Sequence, residues 1–194
     1  MGEFELYLGI GMEHILDANA YDHILFVVVL CTMYQLKDWK KVLILVTAFT
    51  IGHSITLALA TLQIIQVNTD LIEFLIPLTI LITAFVNILS KSNALNRSKI
   101  QTNYFLALFF GLIHGMGFSN YLRAILGKDD SIATQLFAFN IGLETGQIII
   151  VVIYLVIAFL FVDIFRVNRR DWRLGISAAV AGMSFMLLKE AIYW

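Results

Sequence analysis

EHILDANAYDHILFVVVLCTMYQL, residues Glu13 to Leu36, sets two histidines and three carboxylates at the mouth of an otherwise apolar run. Asp17 and Asn19 compete for backbone hydrogen bonds and favour turns and caps. A break is therefore expected at DANA, between a short apolar piece at Phe4 to Leu16 and a longer one at Tyr21 to Leu36. His14 and His23 are nine residues apart, about 900° on an unbroken helix and so half a turn out of phase. Only a break lets both rings face one side.

The rest of the chain supplies the solvent for this stretch. Of its residues 60% are hydrophobic and only 14% charged, against about 25% charged in soluble globular proteins. The mean hydropathy is +0.85, and several apolar runs reach the roughly 20 residues that a bilayer requires. We expect an all-α, polytopic integral membrane helix bundle, a single transmembrane domain over residues 1–194. Full spans are expected near Tyr21–Leu36, Lys41–Val67, Leu71–Leu89, Tyr104–Leu126, Ile132–Phe165 and Leu174–Trp194. The Phe4–Leu16 piece is too short to cross unaided at about 1.5 Å per residue, and is expected to be re-entrant or interfacial. Seven spans is the alternative. Pro77 is expected to kink its helix.

Ten of the thirteen basic residues fall in three alternate loops, holding Lys37, Lys40 and Lys41, then Lys91, Arg97 and Lys99, then Arg166, Arg169, Arg170 and Arg173. Cytoplasmic loops are enriched in Lys and Arg, so both termini are expected outside. The start, MGEFELYLGIG, lacks the basic n-region of a cleavable signal peptide. With one cysteine, Cys31, neither an intramolecular disulfide nor a thiolate cluster is expected. No GxxxxGK[ST] loop points to nucleotide hydrolysis, and nothing points to nucleic acid.

All four histidines, His14, His23, His53 and His114, lie in or at the edge of apolar segments. Ionisable groups at such depth are costly in lipid, about 2.5–3.5 kcal/mol for charged types, and face the bundle interior or a wet cavity. Asn140, Glu144 and Gln147 recur at i, i+4 and i+7, one inward polar stripe. Imidazole and carboxylate together suit Ni²⁺, Co²⁺, Zn²⁺ or Cu²⁺ better than Mg²⁺ or Ca²⁺. The expected ligands are His14, Asp22, His23, His53, His114 and Glu144, in one or two sites. An outer vestibule of His14, Asp22 and His23 and a midplane site of His53, His114 and Glu144 are expected, with Ser54, Asn140 and Gln147 as orienting groups. Gly111 and Gly115, flanking His114, permit a close helix approach that is expected to bring His114 near Glu144. Asp17 is read as a turn or path residue, Asp70 and Glu73 as helix N-terminal acids, Arg123, Lys128 and Lys189 as snorkelling cations, and Met116 as a weaker soft ligand.

GMEHILDANAYDHILF, FTIGHSITLALA, FGLIHGMGFS and FNIGLETGQ together resemble the HupE/UreJ family of hydrogenase and urease accessory membrane proteins, regarded as nickel or cobalt permeases. The resemblance runs from Gly11 to about Ile150. It implies transport of a divalent transition metal across a bacterial inner membrane. It also implies metalloenzyme maturation proteins as partners, and sets the six expected ligands on the family's motif positions. Two other classes are kept open: an intramembrane zinc hydrolase, with three protein ligands and an activated water, and a metal sensor or assembly subunit that binds without transporting.

Overall fold

The computed structural model describes residues 2–18, 21–66, 68–90, 97–125 and 132–192. Asn19 of the expected break, Lys91, Lys128 and the end of the last apolar segment at Trp194 lie outside them, as do the side chains of Arg97 and Lys99. Among the described residues the chain is all helix and turn, without strands. In order the helices are α1 (Glu3–Leu16), α2 (Asp22–Cys31), α3 (Trp39–Thr61), α4 (Thr69–Leu89), α5 (Arg97–Gly117), α6 (Ser119–Ile125), α7 (Ile132–Phe159) and α8 (Arg169–Glu190). A 3₁₀ turn, Leu36–Asp38, leads directly into α3, and a π turn, Leu160–Ile164, ends α7.

Local chemistry sets these limits. The Asn68 side chain accepts from the Leu71 amide at 3.1 Å and the Asn168 side chain from the Arg170 amide at 2.9 Å, capping α4 and α8. α1 ends at Leu16 and α2 begins at Asp22, so the break expected at DANA is present. α4 runs unbroken past Pro77. α5 and α6 meet at a bend of 48° after Gly117.

Among the described residues three helical stretches are long and apolar enough to cross a membrane: Leu36–Thr61, Thr69–Leu89 and Ile132–Ile164. The bent pair Ile100–Gly117 and Ser119–Ile125 makes a fourth if it counts as one span. Six full spans are not reached on this criterion. The helix inside Tyr21–Leu36 has only 10 residues, about 15 Å, and the rest of that segment is turn and 3₁₀. α8 carries charge at both ends, through Arg169, Arg170, Asp171 and Arg173 and through Lys189 and Glu190. Large apolar side chains point outward along the long helices, among them Ile44, Ile51, Phe105, Phe137, Val152 and Ile153. This is the surface of an integral membrane protein.

The bundle is built from three extensive pairings, α3 with α5, α1 with α7 and α4 with α8. Two of them are crossings at glycine. A β-carbon at Gly52 would fall on the Leu108 carbonyl oxygen, one at Gly111 on that of Phe49, and one at Gly115 on that of His53. On the other side Gly11 meets the Phe139 carbonyl and Gly142 the Leu8 carbonyl. Only glycine lets these backbones approach so closely, the device that substitutes in lipid for hydrophobic driving force. The short first helix is thereby packed along α7.

α2 lies between the pairs, touching α1, α4, α7 and α8. Seven of its ten residues are buried, as expected of a helix apolar on all sides. Its C-terminal end is tied off by polar side chains. Asn87 Nδ2 donates to the Val29 carbonyl at 2.7 Å and to Thr32 Oγ1 at 2.8 Å, and that hydroxyl donates to the Val29 carbonyl at 2.8 Å. Buried Arg173 donates to the Ser90 carbonyl at 2.6 Å, joining α8 to the end of α4.

Candidate metal centre

Four helix segments bring the histidines together. His14 is in the last turn of α1, His23 in the first turn of α2, His53 mid-way along α3 and His114 in the last turn of α5. The break between α1 and α2 brings His14 and His23 to 4.6 Å between ring centroids. The α3–α5 crossing sets the depth of the other two, because Gly115 seats α5 on the His53 carbonyl itself. His53 lies 6.1 Å from His14 and 6.5 Å from His23, and His114 lies 5.2 Å from His23.

One ring nitrogen each from His14, His23 and His53 lie within 4.8 Å of one another, and His114 sits just outside that trio. His14 Nε2, His23 Nε2, both nitrogens of His53 and His114 Nδ1 are buried with no hydrogen-bond partner. A buried polar group left unsatisfied costs about 1–3 kcal/mol. Five such atoms in one place form a donor set that the fold itself does not use.

Asp22 carries the nearest carboxylate. Its Oδ1 accepts from the His23 backbone amide at 2.9 Å and from His23 Nδ1 at 3.0 Å. The proton of neutral His23 is thus drawn to Nδ1 and the lone pair left on Nε2. Aromatic rings wall the cluster: Phe118 is 3.9 Å from His14, and Phe26 and Phe49 are 5.1 and 5.3 Å from His114. An open cavity of about 640 Å³ leads to His14, lined by Glu13, His14, Asp17, Phe118 and Tyr121. Two carboxylates, Glu13 and Asp17, stand at this mouth.

The expected division into an outer vestibule and a midplane site does not describe this arrangement. All four histidines form one cluster, and Glu144 stands apart from it. The Glu144 carboxylate accepts from Thr47 Oγ1 at 2.6 Å, and Gln147 Oε1 accepts from Thr50 Oγ1 at 2.8 Å. The glycines beside His114 seat α5 on α3, whereas Glu144 is on α7, which explains why the expected approach of His114 to Glu144 fails. Ser54 Oγ donates back to the Thr50 carbonyl at 2.7 Å, and Asn140 Nδ2 to the Leu136 carbonyl at 2.8 Å with its Oδ1 buried and unpartnered. Asp17 is at the cavity mouth. Met116 lines a different, polar cavity with Gln63, Asn120 and Arg123. Thr47, Thr79 and the phenylalanine wall were not singled out from sequence. A threonine in an apolar helix bonds its own backbone so readily that it carries no signal.

A family model described as HupE / UreJ protein matches residues 1–192. The chain belongs to the HupE/UreJ family. That family is associated with nickel and cobalt uptake for hydrogenase and urease. No curated protein and no solved structure matches the chain. All four motif histidines of this HupE/UreJ chain converge on the cluster, and its motif glutamate, Glu144, is on the adjoining α3–α7 seam.

Proposed function

We propose that this protein is a membrane facilitator for a divalent transition-metal ion, nickel or cobalt foremost, with zinc and copper as competing cargo. The supporting observation is the trio of buried, mutually adjacent imidazoles with unpartnered nitrogens, at the end of a cavity with acidic residues at its mouth. The topology in this reading has six crossings, α2 completing its crossing with the turn that follows it, and both termini outside a bacterial inner membrane.

Glu13 and Asp17 attract the hydrated cation. His14, His23 and His53 replace part of its water shell, and Asp22 offsets its charge through His23. Imidazole nitrogens favour borderline ions over Mg²⁺ and Ca²⁺. Because affinity rises toward Cu²⁺ along the first-row series, choice among those ions rests on geometry and supply. From the cluster the polar rungs Thr50–Gln147 and Thr47–Glu144 continue inward along α3, and these are the proposed exit. Maturation proteins for a nickel enzyme are the proposed recipients.

The test is nickel and cobalt uptake into proteoliposomes holding the purified protein without a polyhistidine tag. Uptake by the parent and none by a folded His53→Ala variant is expected; equal uptake by both sinks the reading. Three imidazoles are also the ligand set of a catalytic zinc, which favours hydrolysis as a second reading. Zinc-dependent cleavage of an added lipid or peptide without ion flux supports that reading instead.

A further inference from the structure

His114 has two ring nitrogens in different surroundings, and one hydroxyl decides between them. Thr79, on α4, is 4% exposed. Its hydroxyl donates to the Ile76 carbonyl at 2.7 Å, so its single proton is committed. The same oxygen lies 3.4 Å from His114 Nε2. Across that contact the oxygen is left only its lone pairs, and Nε2 must carry the hydrogen. A neutral imidazole has one N–H, so Nδ1 is bare, and it is the nitrogen that is buried without a partner.

His23 is set the opposite way. Its Nδ1 faces Asp22 Oδ1 at 3.0 Å, and its Nε2 is unpartnered. The two rings stand 5.2 Å apart, one inside the trio of mutually close nitrogens and the other beside it. A ring poised next to the trio with a fixed lone pair is placed to receive an ion from it. If Thr79 lost its hydroxyl, nothing on α4 would distinguish Nε2 from Nδ1.

We infer that Thr79 is a positioning residue: it holds His114 as the Nε2–H tautomer and so makes Nδ1 the atom that takes the ion from the trio. The ion transfer rests on the transport reading above; the tautomer does not. Partners of this kind that orient a metal-binding imidazole change affinity or activity by about 10–100-fold when removed.

The experiment uses the full chain, labelled with ¹⁵N-histidine, in nanodiscs free of metal and at mildly alkaline pH. His114 is assigned by comparison with His114→Gln, and its tautomer is read from long-range proton–nitrogen correlations. In the parent the protonated nitrogen is expected to be Nε2, and added Zn²⁺ is expected to shift Nδ1. Thr79→Val should give a mixture of tautomers and about 10–100-fold slower nickel uptake, with both restored in Thr79→Ser. A parent His114 protonated on Nδ1, or an unaltered Nε2–H tautomer in Thr79→Val, overturns the inference. Should Thr79→Val fail to fold, the parent and Thr79→Ser spectra still decide it: Nε2–H in both upholds the assignment, Nδ1–H in either overturns it. A parent with the expected tautomer but no ion uptake refutes transport while leaving the Thr79 assignment standing.

Discussion

The two ends of α2 treat buried polarity in opposite ways. At the C-terminal end Asn87 and Thr32 share three hydrogen bonds with one another and with the Val29 carbonyl. At the N-terminal end His23 meets His14, His53 and His114 across distances that suit an ion, and five ring nitrogens have no partner. His23 at one end and Thr32 and Asn87 at the other are all buried. Polar groups that hold a fold together are saturated within it, whereas those kept for a ligand are left open, and a single ten-residue helix carries both arrangements.

The largest effect that separates fold from site comes from the glycine crossing. Gly115→Leu drives a side chain into the His53 carbonyl, and we expect a loss of about 4 kcal/mol or more, read as loss of monodisperse protein in detergent. Next is His53→Leu. Replacing a polar group without partners by an apolar one of similar size is nearly neutral, so thermal stability should stay within about 1 kcal/mol of the parent. Metal binding by calorimetry should fall by more than the roughly 10–100-fold typical of losing an orienting partner. A large stability loss in His53→Leu would mean that the cluster is structural. Asn87→Ala should do the reverse: destabilise by about 1–2 kcal/mol, the scale of hydrogen bonds between membrane helices, yet leave uptake per folded molecule intact. Smallest of all at the cluster is Glu144→Gln, which retains an acceptor for Thr47. Metal affinity should be unchanged while uptake slows; weakened binding would return Glu144 to the ligand set.

The break between α1 and α2 was legible because it follows from angles alone: His14 and His23 are half a turn out of phase unless the helix stops, and DANA supplies the stop. That His53 and His114 sit inside the bundle was legible too, since both lie within apolar runs, and both are buried. Which helices stand side by side was not. Gly111 and Gly115 advertised a close approach without naming the partner, and the partner is α3 rather than α7. Thr79 was invisible because its role exists only after α4 meets α5. Hydropathy averaged across Tyr21–Leu36 does not reveal that its α-helix is only the ten residues Asp22–Cys31, too short to count as a full span by helix length alone.

The brevity of α2 has a bearing on how the chain reaches its place in the bilayer. Leu36–Thr61, Thr69–Leu89 and Ile132–Ile164 carry enough apolar length to enter lipid on their own account. A ten-residue helix headed by Asp22 and His23 does not, and its C-terminal end is tied off by Asn87 of α4, a helix synthesised later. We therefore expect assembly to run out of sequence, with α2, made among the first, settling among the last. His14, His23 and His53 are all made by residue 53, yet we expect them to converge only when α2 has docked between helices made later.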